Sequence, residues 1–239
     1  MSPAARPAVD APMNPEPLFE RLKAARPADW QAYVDHAFVR QLGAGTLPAS
    51  AFRHYLVQDY LFLIQFARAH ALAVYKSRTL ADMRAAQAGL SAILDVELGL
   101  HVRLCERWGL TPAQLEATPE HRATVAYTRF VLDAGMAGDL LDLHVALSPC
   151  VLGYAEIART LAPAGVQALG DHPYREWIGE YAGAPYQAVA EAASRQLDVL
   201  AARSMTAQRF DELAALFAQA SRLEADFWQM GLAAEAEAA

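Results

Sequence analysis

Cysteine is scarce in this chain: Cys105 and Cys150 are its two thiols in 239 residues. That excludes the disulfide framework on which small secreted domains depend. There is no CxxC pair and no spaced Cys/His cluster, so a structural zinc site is not expected. No run of apolar residues is long enough, free of charge, to predict a membrane span. The opening MSPAARPAVDAPMNPEP lacks the apolar centre of a signal peptide. These absences together fit a reducing cytoplasm. Positive charge is also in deficit, with 20 Lys and Arg against 27 Asp and Glu and a net charge of −7. Such a balance argues against a surface built for nucleic acid or an anionic membrane. Alternating β-branched segments are missing as well, and with them the evidence for strands.

What remains is apolar and helical. Hydrophobic residues make up 54% and charged residues 20% of the chain, enough for one large core. Residues 1–16, rich in Pro and Ala, read as a flexible arm, and 17–239 as a single helical catalytic domain. Helices are expected over about 17–24, 27–41, 50–72, 79–107, 120–133, 138–161, 173–182, 185–202 and 207–236. Ser50, Thr79 and Thr206 stand where N-caps belong. Thr111-Pro112 and Thr118-Pro119 read as loops, and Gly135 and Gly138 as breakers. Helices this long suit a multi-helix bundle.

Within ALSPCVLGYAEIAR (146–159), Pro149 stands directly before Cys150 in an otherwise helical run. Proline has no N–H and crowds the carbonyl of residue 145, so the helix must bend there and leave that carbonyl free. Cys150 then lies beside the kink, one turn before Tyr154 on the same face. Asp59 stands three residues before Phe62 on an aromatic helix, where it reads either as a ligand for a polar ring or as a solvated edge. Glu224 precedes Phe227 and Trp228 and reads as a buried acid with a raised pKa or as a surface residue; Asp226 points elsewhere. Tyr55, Tyr60, Tyr127, Tyr154, Tyr181 and Tyr186 all fall in helical contexts, as either core or site residues. Glu97 and His101, four apart, are able to pair across a turn but miss the Glu-x-x-His spacing of di-iron bundles. Cys105 reads as a buried hydrophobe.

Taken in order, several segments carry a resemblance: VDHAFVRQLGAGTLPASAFRHYLVQDYLFL (34–63), ELGLHVRLCERWGL (97–110), AYTRFVL (126–132), ALSPCVLGYAEIA (146–158), HPYREWIGEYAG (172–183) and Glu224 to Trp228. The sequence resembles the TenA family, the thiaminase II-type aminopyrimidine hydrolases. The resemblance implies an all-α, haem-oxygenase-like multi-helix bundle without haem, commonly a homotetramer. It implies hydrolysis in thiamin salvage. The reaction occurs at the methylene on C5 of a 4-amino-2-methylpyrimidine, and either an amine or the thiazolium of thiamin is released.

By the same resemblance Cys150 is the catalytic cysteine and Glu224 the catalytic glutamate. Asp59, Tyr127 and Tyr181 match residues around the substrate ring, and Tyr154 joins them as the tyrosine one turn past the thiol. Phe62 stands where well-known members carry tyrosine, keeping a stacking face and losing a hydroxyl. The scheme calls for no cofactor and no metal. Other readings stay open at this point: an oxidoreductase of the same fold, a pyrimidine-binding regulator that does no chemistry, or a purely structural helical oligomer.

Overall fold

The computed structural model describes residues 16–237, so the expected flexible arm lies almost wholly outside the described residues. Among the described residues there are thirteen α-helices and no strand. They are α1 (Leu18–Ala25), α2 (Pro27–Val34), α3 (Ala37–Gly43), α4 (Ala49–Lys76), α5 (Leu80–Ala92), α6 (Leu98–Glu106) and α7 (Pro112–Glu116). Then follow α8 (Arg122–Ala137), α9 (Leu140–Ser148), α10 (Tyr154–Leu161), α11 (Arg175–Ala182), α12 (Ala184–Ser204) and α13 (Ala207–Glu237). The all-α expectation holds.

Local chemistry explains where the boundaries depart from expectation. The helix expected over 27–41 is two helices, because His36 leaves helical geometry and its Nδ1 accepts from the Phe38 N–H, capping α3. Ser50 is not the cap of α4; that helix begins at Ala49, directly after Pro48. Thr79 does cap α5, accepting from the Asp82 N–H, and Thr206 accepts from the Arg209 N–H at the start of α13. Thr111-Pro112 starts a short helix instead of a loop, through a capping box with Gln114. Gly135 lies inside α8, which runs on to Ala137.

Two of the long helices are interrupted by single π-helical turns. One, Ile93–Glu97, joins α5 to α6; the other, Pro149–Gly153, joins α9 to α10. The bend expected at Pro149 is this second turn. Its freed carbonyl is satisfied locally: the Ser148 hydroxyl donates to Val145 O at 2.8 Å. The continuous run Leu140–Leu161 is long and apolar enough to pass for a membrane span, with a mean hydropathy of 1.3. Of its most apolar 18 residues, 72% are buried inside the bundle, which makes it a core helix.

The centre of the bundle is α4, α8, α9 and α13, packed against one another. Aromatic side chains fill it. Trp228 stacks on Phe38 at 4.9 Å and on Tyr33 at 6.2 Å between ring centres. Trp177 meets Tyr181 at 4.7 Å and Tyr154 at 5.7 Å. Each buried ring contributes about 1.5–3 kcal/mol relative to an exposed one. The same rings fix the orientation of the polar residues between them.

Candidate active site

The long helices bring together residues far apart in sequence. Helix α4 contributes Asp59 and Phe62, α8 Tyr127, α10 Tyr154, α11 Tyr181 and α13 Glu224, while the second π-helical turn carries Cys150. All seven are buried. A π-helical turn widens the helix and exposes carbonyls, and such turns recur at functional sites. Here the Pro149 carbonyl accepts from the Tyr33 hydroxyl at 3.2 Å and the Val151 carbonyl from Tyr186 at 3.3 Å. These two bonds hold the turn on either side of the thiol. Gly153 makes the Tyr33 contact possible, since a Cβ there would lie 2.3 Å from the Tyr33 ring.

Glu224 accepts a hydrogen bond from the Tyr127 hydroxyl at 2.9 Å. Burial pushes its carboxyl well above the ordinary range; the Tyr127 bond opposes that and the charge of Asp59 adds to it. A carboxyl raised in this way holds its proton more tightly than an exposed one, which suits it to donate a proton. Asp226 is exposed, as expected. Tyr127 lies against Phe62 at 4.9 Å, and Phe62 packs on Phe66 and Phe227, giving a wall of apolar ring faces.

Asp59 is the centre of a second network. Its Oδ2 accepts from the Tyr55 hydroxyl at 2.8 Å and lies 2.6 Å from His101 Nε2. His101 is fully buried, and its Nδ1 lies 2.9 Å from the Glu97 carbonyl. A carbonyl only accepts, so Nδ1 carries a hydrogen, and one more proton lies between Nε2 and Asp59. Burial pushes the His101 pKa down, but the charge and hydrogen bond of Asp59, with the charge and carbonyl of Glu97, outweigh it and leave it above its ordinary value. The hydrogen of Tyr55 is committed to Asp59. Its oxygen accordingly accepts from Trp177 Nε1 at 3.2 Å and from the Tyr154 hydroxyl at 3.3 Å.

Tyr181 turns its hydroxyl to Glu97 Oε1 at 3.0 Å, while its ring meets Tyr154 at 5.0 Å and Tyr186 at 4.8 Å. The Cys150 thiol is pushed well up by burial and by the charges of Glu224, Glu97 and Asp59 around it. It rests as a thiol and needs a proton acceptor before it acts as a nucleophile. Cys105 is the buried residue it was expected to be: solvent-inaccessible, with its thiol pushed up to about 11 by burial.

The structure thus joins Glu224 to Tyr127 and Phe62, and Asp59 through Tyr55 to Tyr154. Tyr60 does not join them; its hydroxyl reaches Glu116 on α7 at 3.2 Å. Sequence reasoning left His101 and Glu97 as a pair in the core and did not single out Tyr33 or Trp177. The useful signal for the first two was their four-residue spacing, which places the ring of one over the carbonyl of the other. Nothing local connects His101 to Asp59, 42 residues earlier.

Residues 23–234 match the model of the TENA/THI-4/PQQC family. An uncharacterized protein of Haemophilus influenzae is 40% identical over 217 residues, covering 90% of this chain and 99% of that protein. An aminopyrimidine aminohydrolase of Halalkalibacterium halodurans is 37% identical over 202 residues, covering 84% of this chain and 89% of that one. Among solved structures, a TenA family transcription regulator from Silicibacter superposes with a TM-score of 0.84 at 45% identity, over 90% of this chain and 96% of its own. With the family match spanning nearly the whole described bundle and relatives aligned over almost their full length, this chain belongs to the TENA/THI-4/PQQC family.

Proposed function

We propose that this protein is an aminopyrimidine hydrolase. It converts 4-amino-5-aminomethyl-2-methylpyrimidine to the 5-hydroxymethyl compound and ammonia, and also cleaves thiamin to the same pyrimidine and the thiazole alcohol, in thiamin salvage. The observation that carries the reading is a buried Cys150 thiol that feels the carboxyls of Glu224 and Asp59, with the Tyr127 hydroxyl on Glu224 at 2.9 Å. The relative from Halalkalibacterium halodurans, an aminopyrimidine aminohydrolase, supports it.

Asp59 receives the amino edge of the ring in this reading, and His101 and Tyr55 hold its carboxyl in one orientation. Phe62, Tyr127, Tyr154 and Tyr181 supply ring faces and hydroxyls around the substrate. Glu224 delivers its proton to N1 as the Cys150 sulfur bonds to C6, and the proton released by the thiol replaces the one Glu224 gives up. The ring loses its aromaticity, and the 4-amino nitrogen pushes electrons through C4 and C5. The bond from the exocyclic carbon to its leaving group breaks. Water adds to that carbon, the sulfur leaves C6, and the ring is restored. One difficult displacement becomes a series of easier steps. No cofactor or metal enters this scheme. Phe62, lacking a hydroxyl, places no polar group of its own beside the leaving group, which bears on the preference between ammonia and thiazolium.

The Silicibacter relative is described as a transcription regulator. For this chain a net charge of −7 works against the phosphate attraction that dominates DNA affinity. We read the protein as a cytoplasmic homotetramer, to be checked by light scattering. The functional test is product formation from the aminomethylpyrimidine and from thiamin, wild type beside Cys150→Ser. Turnover by wild type that is lost in the variant supports the reading. Equal turnover by both removes Cys150 from it, and no turnover of either substrate by folded wild type overturns it.

A further inference from the structure

Glu97 lies on the π-helical turn between α5 and α6, partly buried and on the site's own hydrogen-bond network. Its Oε1 accepts from Tyr181 at 3.0 Å, and its backbone carbonyl anchors the His101 ring that reaches Asp59. Its charge is felt by Cys150 and by Tyr186, which brackets the thiol's turn. The site therefore has two π-helical turns facing one network, one bearing the thiol and the other a carboxyl. The scheme above uses Glu224 at the ring nitrogen and leaves the exocyclic carbon without a proton-transfer group.

We propose that Glu97 is that group: a second acid–base residue of the site, serving the leaving group and the attacking water. This rests on the hydrolase reading above. Glu97 in its acid form gives a proton to the departing amine as the carbon–nitrogen bond breaks, so that ammonia leaves. The resulting carboxylate takes a proton from water as the water oxygen bonds to the exocyclic carbon. The aminomethylpyrimidine and water become the hydroxymethylpyrimidine and ammonia, and Glu97 ends as it began.

The electrostatics suit both halves of the cycle. Burial raises the Glu97 pKa to about 7; His101 and the Tyr181 hydroxyl oppose the rise, and Asp59 and Glu180 add to it. A carboxyl near neutrality both gives and takes a proton readily at working pH. Glu224 is raised well above the ordinary range by its fuller burial, so the two carboxyls are set to separate tasks. The titratable groups facing Glu97 are Asp59 from α4, His101 from α6, Cys150 on the second π-helical turn, Glu180 and Tyr181 from α11, and Tyr186 from α12.

The test is the pH–rate profile for the aminomethylpyrimidine in wild type, Glu97→Gln and Glu180→Gln, with hydroxymethylpyrimidine binding measured by calorimetry. Glu97→Gln should lose about 10²-fold in kcat and the profile's limb near neutrality, while the product Kd changes by less than about threefold. Glu180→Gln removes a neighbouring negative charge and should move that limb to lower pH. This second variant decides the matter if Glu97→Gln does not fold. An unchanged limb in either folded variant overturns the proposal while leaving the hydrolase reading in place. So does a loss of product binding that matches the loss of rate, which marks Glu97 as structural. No turnover by wild type overturns the hydrolase reading and this inference with it.

Discussion

Asp59 and His101 meet at 2.6 Å, with side chains 5% and 0% exposed. A buried carboxyl and imidazole at that distance share a proton and hold each other in place. Removing one leaves the other charged and unpaired, at a cost of about 3–5 kcal/mol. His101→Asn is too short to bridge Glu97 O and Asp59. It should lower the urea midpoint and weaken hydroxymethylpyrimidine binding by about tenfold or more. Unaltered binding in a folded variant would show that Asp59 is oriented without the imidazole.

Replacing the Cys150 sulfur with oxygen barely changes side-chain volume, so Cys150→Ser should fold with a melting temperature close to wild type. A buried serine hydroxyl is a far poorer nucleophile, and turnover should drop by at least about 10³-fold. Mass spectrometry of quenched wild-type reactions checks the same point, since a pyrimidine adduct should map to Cys150 and not to Cys105.

For Glu224→Gln, the loss expected of a general acid is about 10²–10⁴-fold in kcat. The amide still accepts from Tyr127 but has no acidic proton for N1. Near-normal kcat with a raised KM would instead make Glu224 a binding group.

Gly153→Ala tests the support beneath the thiol. The added methyl would stand 2.3 Å from Tyr33 Cε1 and 2.6 Å from its hydroxyl, which anchors the Pro149 carbonyl. Tyr33 is fully buried and cannot swing away freely. Overpacking of this kind costs about 1–3 kcal/mol, and turnover should fall along with stability. A variant equal to wild type in both would mean that the π-helical turn does not depend on Tyr33.

Stability should depend on pH in a defined direction. The folded Glu97 holds its proton to about 7, whereas its ordinary value is 4.5. The stability it contributes is complete below about 4.5 and is lost as pH rises to about 7. His101 is also raised, so its contribution is complete below about 6.5 and is lost as pH climbs through its folded value. Wild type should therefore lose stability between pH 5 and 8. Glu97→Gln should flatten the lower part of that decline by about 2 kcal/mol in urea titrations. A parallel slope in the variant would place the titration elsewhere.

The sequence by itself determined the helical class, most helix limits to within a few residues, and the bend at Pro149. These follow from periodicity, capping and a missing N–H, all of which act over one or two turns. It also singled out Cys150, Glu224 and Asp59, though the strength of that reading came from resemblance more than from local chemistry. Only the tertiary structure decided which of those residues meet. The partner of Glu224 is Tyr127, 97 residues earlier, and the partner of Asp59 is His101, on another helix. Such pairs depend on how helices pack, and no spacing along the chain encodes them. The π-helical turn under Glu97 was likewise invisible in the 79–107 pattern, because a single wide turn leaves the residue composition of a helix unchanged. The raised pKa values come from burial by distant helices, which is a property of the assembled core.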